Sequence, residues 1–140
     1  MSNEPLTVEW HHPKIHVLKE WPEYFAEVVQ GRKHYEIRLN DRGFEVGDLL
    51  LLREYRPRMG VTADGKEIAF NEKGEAILAG YTGLWTVVEI TSKFAMDGIT
   101  SGYCALGTKP FDAGLVGLLP EAVFNACLTI CEMQGYEEAK

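Results

Sequence analysis

The chain has 140 residues, of which 46% are hydrophobic and 25% charged, and its formal net charge is −7. This length predicts a single domain over residues 1–140 with its own hydrophobic core, and the acidic balance argues against binding nucleic acid over the whole surface. No apolar run is long enough to cross a bilayer, and no signal-peptide pattern opens the chain. We therefore expect a cytoplasmic protein without membrane contact.

The charge is unevenly distributed along the chain. Residues 11–58 contain nine Lys or Arg, eight Asp or Glu and all four histidines, whereas residues 59–140 contain five basic and eleven acidic residues. A small anion site in the first half fits this distribution. The acidic second half is a candidate surface for a protein partner.

The first predicted elements are a loose arm over residues 1–13, a short strand over residues 15–18 and an amphipathic helix. The helix is indicated by apolar residues at helical spacing, namely Trp21, Phe25, Val28 and Val29. Pro22 suits its first turn and Gly31 its C-terminal cap. Trp21 lies on the apolar stripe and is expected in the core, whereas Tyr24 lies off it and is available to a ligand.

Residues 34–39 alternate between polar and apolar side chains and predict a strand, because successive side chains of a strand point to opposite faces. The apolar set, which we expect to face the core, is Tyr35, Ile37 and Leu39. The polar set, which would then be presented at the surface, is His34, Glu36 and Arg38. Turns follow at Gly43 and at residues 46–48, where Asp48 is expected to be a turn residue.

The remaining pattern is mostly strand. Residues 49–52 predict a buried strand, residues 57–80 an inserted hairpin or loop, residues 85–91 a further strand and residues 103–106 a closing strand. Residues 120–133 predict a C-terminal helix inside an extension over residues 108–140. One helix followed by several strands indicates an α+β domain with a mostly antiparallel sheet and a core over residues 14–107. In so small a domain such a sheet often curls into a barrel.

The three cysteines, Cys104, Cys127 and Cys131, form no CxxC pair. We interpret them as buried structural thiols. Neither a metal site nor a cofactor is expected, since no further ligands at suitable spacing accompany them.

Several motifs resemble those of a known family. They are His16-x-Leu18-Lys19, Pro22-x-Tyr24-Phe25, the block from Gly31-x-Lys33 through Asn40-Asp41-Arg42 to Val46-Gly47-Asp48, and Tyr81-Thr82-Gly83. Together they resemble the small ASCH domains of bacteria and phages, which belong to the PUA-like superfamily. The resemblance is close over residues 14–56 and looser over residues 81–107. It implies a β-barrel with a helix at one mouth and a cleft beside it, and binding of RNA or modified nucleosides.

The resemblance also implies a catalytic position. In relatives that deacetylate N4-acetylcytidine, a lysine at the place of Lys33 acts with a threonine three residues later and a distant glutamate. Here Glu36 stands in place of that threonine, and Glu89 is one candidate for the distant glutamate. Lys33 and Glu36 are thus the candidate catalytic pair, with a surface ion pair as the structural alternative. The departure from the motif favours binding over catalysis.

Seven further side chains are candidate ligand-binding groups: His16, Lys19, Tyr24, Arg32, His34, Arg38 and Arg42. Histidine titrates near neutrality, the arginine fork fits phosphate or carboxylate, and tyrosine stacks on bases. The structural alternative for His16 and His34 is a hydrogen-bonded group, and that for Arg38 is a salt bridge to Asp41, Asp48 or Glu36. Arg42 belongs to a segment that is also expected to form a turn.

Three functions remain open from the sequence. The favoured one is an RNA- or nucleotide-binding domain whose small cleft takes a single-stranded or modified nucleotide. The first alternative is a hydrolase of an acylated modified nucleoside, or a ribonuclease. The second is a protein-interaction module that uses the acidic second half.

Overall fold

The computed structural model describes residues 13–95, 98–111, 116–118 and 137–138. Of these described residues, 53% lie in strands and 8% in a helix. Its elements in chain order are β1 (Ile15–Glu20), α1 (Pro22–Val29), β2 (Tyr35–Leu39), β3 (Leu49–Arg56), β4 (Gly60–Val61), β5 (Glu67–Phe70), β6 (Ala76–Leu78), β7 (Gly80–Phe94), β8 (Tyr103–Pro110), β9 (Gly117–Leu118) and β10 (Glu137–Glu138).

The main sheet has the strand order β10-β1-β3-β7-β8-β2, with β9 added against β7. It curls into a half-barrel. The pairs β3–β7, β7–β8 and β2–β8 are antiparallel, whereas β1 runs parallel to both β3 and β10. The predicted mostly antiparallel sheet is therefore confirmed. In the part of the chain that the structure describes, β2 pairs only with β8 and forms an edge of the sheet.

Helix α1 connects β1 to β2 and contacts β3. Pro22 occupies its first turn, as predicted, and Phe25 and Val28 are its buried residues. The helix ends in a turn in which the amide of Gly31 donates to the carbonyl of Val28. Gly31 has a φ of +75°, a conformation that favours glycine. Two residues later the amide of Lys33 donates to the carbonyl of Glu27, which fixes Lys33 at the entrance to β2.

The core combines side chains from α1 with side chains from four strands of the main sheet. Its buried cluster is Leu18, Val28, Phe44, Leu50, Leu52, Val88, Ile90, Cys104 and Leu106. Each fully buried aliphatic side chain of this kind contributes about 1.5–3 kcal/mol of transfer free energy. Alternate residues of β3, β7 and β8 supply most of the cluster, as the period of a strand requires.

The predicted orientation of β2 is wrong. Tyr35, Ile37 and Leu39 are 54%, 52% and 50% exposed, whereas Glu36 is only 2% exposed. The alternation is present as predicted, but the apolar face of β2 is the exposed one and the polar face is the buried one. The physical reason is that Glu36 meets Lys33 and two other charged partners inside the half-barrel, so that burial of its carboxylate is compensated.

The inserted segment folds as a second, three-stranded antiparallel sheet in the order β4-β5-β6. Strands β5 and β6 form the predicted hairpin, and Asn71 closes its turn by accepting hydrogen bonds from the amides of Lys73 and Glu75. Strand β4 was not predicted. Strand β7 spans fifteen residues and is longer than the predicted strand over residues 85–91.

Some predictions fall on residues outside the described ranges. These are residues 1–12 of the predicted arm over residues 1–13, the C-terminal helix over residues 120–133, and Cys127 and Cys131. Cys104 is buried, as predicted, and burial raises the pKa of its thiol. Within the described residues, no helix combines the length and apolar character that spanning a bilayer requires.

Candidate functional site

A cleft of about 460 Å³ opens between the end of β1, the start of α1 and β2. This volume lies within the range of about 300–1,000 Å³ that is usual for small-molecule sites. The charged residues of its lining are Lys19, Glu20, Lys33, Glu36 and Arg38. The other lining residues are Trp21, Tyr24, Tyr35 and Ile37.

Four charged side chains form a network at the floor of the cleft. Lys33 Nζ lies 3.0 Å from Glu36 Oε1 and 3.6 Å from Glu20 Oε1. Arg38 Nη2 lies 3.2 Å from an oxygen of each of the same two carboxyl groups. Each cation therefore contacts both carboxyls, and each carboxyl contacts both cations. Lys33 and Glu36 are not the surface ion pair considered above, because their side chains are only 10% and 3% exposed.

The network keeps a proton on one of its carboxyl groups. Burial raises the pKa of Glu20 to about 8, with a further increase from the hydrogen bond and negative charge of Glu36, while Arg38 and Lys33 act in the opposite direction. At neutral pH the side chain of Glu20 is therefore mostly the neutral carboxylic acid. With Glu20 neutral, the formal charges of Lys33, Arg38 and Glu36 sum to +1.

Aromatic rings flank this network. The rings of Trp21 and Tyr24 stack with centroids 6.3 Å apart and an interplanar angle of 20°. The Lys33 ammonium lies 5.7 Å from the Tyr24 ring centroid and 5.1 Å from that of Tyr35. Both distances are within the reach of a cation–π interaction. The exposed surfaces of Trp21 and Tyr24 remain available to a further ring.

The prediction that Trp21 is a core residue is wrong. Trp21 is the N-cap of α1, with φ −66° and ψ 151°. A residue with extended backbone angles lies outside the helical period, so its side chain does not follow the buried stripe of Phe25 and Val28. Trp21 is instead exposed beside the cleft.

The structure brings together five of the nine predicted site residues, namely Lys19, Tyr24, Lys33, Glu36 and Arg38. The other four are His16, Arg32, His34 and Arg42, none of which lines the cleft. Arg32 forms a two-pronged ion pair with Glu27 at 2.8 and 2.9 Å. Arg42 donates to Asp41 at 3.0 Å and lies over the Phe44 ring. His34 is exposed, and its carbonyl accepts the amide of Thr108.

His16 belongs to the interior of the fold. Its Nε2 is hydrogen-bonded to Asp48 Oδ2 at 2.8 Å, and both side chains are completely buried. Asp48 also accepts hydrogen bonds from the amides of Lys14 and Glu45. Burial alone would raise the pKa of Asp48, but the hydrogen bonds from His16 and the two amides hold it below its usual value. Asp48 thus shapes the turn before β3, as predicted, and connects it to β1.

Glu20 is the charged cleft residue that sequence reasoning missed, and Trp21, Tyr35 and Ile37 also line the cleft without having been predicted as site residues. Glu20 stands at the end of β1 next to Trp21, and no local sequence signal marks it as buried. The candidate for the distant glutamate, Glu89, lies on β7 outside the cleft lining and pairs with Lys109 at 3.2 Å. Glu20 is therefore the second carboxyl group beside Lys33 and Glu36.

A second groove, of about 870 Å³, lies between α1 and the three-stranded sheet and shares Trp21 with the cleft. Its charged lining residues are Glu23, Glu54, Arg56, Arg58, Glu72, Lys73 and Glu75. Four carboxylates against three cations give it a formal charge of −1. Such a groove does not suit a polyanion, because phosphate binding requires an excess of positive charge.

The segment of the chain that carries the cleft matches a recognised sequence family. Residues 15–108 match the sequence model described as "Domain of unknown function (DUF3850)". The match runs from β1 to β8 and includes every residue that lines the cleft. A protein of Escherichia phage P2, described as an uncharacterized 12.9 kDa protein in the GpA 3′ region, is 45% identical over 42 residues. That alignment covers 30% of this chain and only 38% of the phage protein.

Proposed function

We propose that this chain, which belongs to the family of domains of unknown function DUF3850, binds RNA or a nucleotide-like ligand by taking one base into the cleft. We further propose that its half-barrel is of the PUA-like ASCH type. The motifs from His16 to Asp48 support this assignment, as does the curled, mostly antiparallel sheet.

The observation that carries the proposal is the convergence of aromatic rings and buried hydrogen-bonding groups on one cleft. Stacking of a base on an aromatic side chain contributes about 1–3 kcal/mol, and the rings of Trp21 and Tyr24 are exposed for it. Glu20, Glu36 and Arg38 supply donors and acceptors of the kind that recognise the edge of an unstacked base.

The size and charge of the surroundings favour a single unpaired base. A duplex would need a long basic surface, whereas the chain carries a net charge of −7 and the adjoining groove is slightly negative. Lys19 is the lining cation outside the carboxyl network, and it lies 4.5 Å from the Tyr55 ring centroid. We place the sugar or phosphate of the ligand on the Lys19 side.

The proposal is tested by titrating the protein with adenosine, guanosine, cytidine, uridine, N4-acetylcytidine and a short single-stranded RNA. Tyr24→Ala should weaken binding about tenfold or more, because one stacking surface is lost. Tyr103→Ala is the matched control, since Tyr103 is similarly exposed but lies outside the cleft. Equal binding by both variants, or no binding by the wild-type protein, would remove the proposal.

A second function, hydrolysis of an acylated nucleoside, is favoured by one specific observation. Lys33 and Glu36 lie 3.0 Å apart beside a second carboxyl, Glu20, whose pKa of about 8 lets it hold a proton near neutrality. This combination provides both a base and an acid for general acid–base catalysis.

The proposed reaction balances within the network. Glu36 takes a proton from water as the water oxygen bonds to the acyl carbon, and Lys33 and Arg38 stabilise the developing oxyanion. The C–N bond then breaks as Glu20 gives its proton to the departing amino group. Transfer of a proton from Glu36 to Glu20 restores the starting state, and the products are a carboxylic acid and the free amine.

Catalysis is tested by incubating the protein with N4-acetylcytidine and following release of acetate. The expected result is turnover that is lost in Glu36→Gln and in Glu20→Gln, and retained in Glu89→Gln. Absence of turnover at high protein concentration would leave binding as the function of the cleft.

A further inference from the structure

Among the residues that the structure describes, nothing pairs with one side of the β2 main chain, its open side. The amide of Thr108 donates to the carbonyl of His34, and the amide of Asn40 donates to the carbonyl of Gly102. In an antiparallel ladder, residues that pair with the neighbouring strand alternate with residues whose N–H and C=O groups point the other way. His34, Glu36, Arg38 and Asn40 therefore face β8, and Tyr35, Ile37 and Leu39 direct their N–H and C=O groups to the open side.

The open side of β2 faces the cleft. Both Tyr35 and Ile37 line the cleft, whereas Leu39 does not. The Ile37 side chain is half exposed on the face opposite to Glu36 and Arg38, whose side chains occupy the cleft floor. Since side chains alternate along a strand, Ile37 lines the cleft through its main chain. Among the described residues, none donates to or accepts from these Ile37 groups.

We infer that the ligand extends the sheet at this point, with the N–H and C=O of Ile37 hydrogen-bonded to the edge of its ring. The inference rests on the proposed function and adds a contact that no side chain provides. The ligand class it specifies is a flat heterocycle with a hydrogen-bond acceptor next to a donor on one edge, as on the pairing edge of a nucleobase. Stacking on Tyr24 would then fix the plane of the ring, and edge pairing with Ile37 would fix its rotation within that plane.

The inward-facing charges of β2 favour a ring over a polypeptide strand at this edge. Charged residues that point inward on an edge strand oppose pairing with another strand, and Glu36 and Arg38 are of this kind. A strand would also have to run past Glu20 and Lys33 along the cleft floor. A single ring needs only the few ångströms beside Ile37.

Proline substitution tests the contact, because it removes one N–H while edge strands tolerate it where that N–H points away from the sheet. Ile37→Pro is compared with Leu39→Pro, which removes the next outward N–H outside the cleft lining. Replacement of the Ile37 amide by an ester, through incorporation of the α-hydroxy acid, removes the same N–H if the proline variant fails to fold. The same ester at Leu39 is its control.

The probes are the nucleosides named above, measured by isothermal titration calorimetry. We expect the Ile37 proline or ester variant to bind about tenfold more weakly than wild type, and the corresponding Leu39 variant to stay within about twofold. Equal affinities for the Ile37 and Leu39 variants, with binding still weakened in Tyr24→Ala, would overturn the main-chain contact and leave the proposed function standing. Failure of the wild-type protein to bind any probe would overturn both.

Discussion

Glu20 and Glu36 share the same two cations, and the side chains of both are almost completely buried. They lie on β1 and β2, which the main sheet separates by three other strands. Lys33 and Arg38 each contact both carboxyls. Side chains therefore connect the two sides of the half-barrel across the cleft, where the described part of the chain has no backbone ladder.

This arrangement predicts that stability falls as the pH rises towards 8. The folded pKa of Glu20 is about 8, well above its value of 4.5 in the unfolded chain. The folded state therefore holds more protons between these values, and the contribution of Glu20 is fully present below pH 4.5 and lost as the pH rises through 8. The free energy of unfolding should fall by at most about 1.4 kcal/mol per pH unit in this window.

Urea denaturation at several pH values checks this dependence. Glu20→Gln retains the shape of the side chain without the titration, so its stability should change less than that of wild type between pH 5 and 8. Parallel pH profiles for the two proteins would show that Glu20 does not hold the proton.

Arg38→Ala should destabilise the protein by about 2–4 kcal/mol, because it leaves two buried carboxyls with one cation fewer. Arg58→Ala is the matched control. Arg58 pairs with Glu67 at 3.4 Å on the open surface, where an ion pair contributes about 0–1 kcal/mol. Equal losses in chemical denaturation would contradict the structural role of the network. Ligand affinities of Arg38 and Lys33 variants must therefore be read together with their stability.

Asp48→Ala should cost about 3–5 kcal/mol, since the buried His16 and the amides of Lys14 and Glu45 lose a common acceptor. The pKa of Asp48 is lowered, so its contribution is present above its unfolded value and is lost as the pH falls through the folded value. Thermal unfolding at pH 7 and at pH 3 measures both effects. Asp41→Ala, at the partly exposed Asp41–Arg42 pair, should change stability by less than about 1 kcal/mol at pH 7.

Leu39→Ser should change the free energy of unfolding by no more than about 0.5–1 kcal/mol, because Leu39 is half exposed on the outer face of β2. Leu52→Ala, in the completely buried cluster, should cost about 2–5 kcal/mol. Comparable losses at the two positions would indicate that Leu39 faces the core, as the alternation of residues predicted.

The local sequence pattern predicted where the elements lie better than it predicted which of their faces is buried. Proline and glycine at the two ends of α1 and the alternation in β2 were sufficient to locate both elements, since these signals depend on neighbouring residues. Which face of β2 is buried depends on Glu20, which lies sixteen residues before Glu36. Glu20 compensates the burial of Lys33 and Arg38 only once the sheet has curled. A rule that places apolar residues inside cannot anticipate such a polar interior.

The site was predictable to the extent that its members are close in sequence. Lys33, Glu36 and Arg38 stand within six residues and were recognised together. His16 was a candidate because histidine as a residue type titrates near neutrality. In the fold it is hydrogen-bonded instead to Asp48, which lies 32 positions further along the chain. Long-range partners of this kind are set by strand order, which one sequence does not display.

The most direct test of the central claim is a titration of the ¹⁵N-labelled protein with the nucleosides, followed by amide chemical shifts. The account predicts saturable shifts for at least one nucleoside, centred on Glu20, Trp21, Tyr24 and the segment from Lys33 to Arg38. In Tyr24→Ala the same shifts should need about tenfold more nucleoside. Absence of saturable shifts, or shifts centred on β4, β5 and β6, would contradict it.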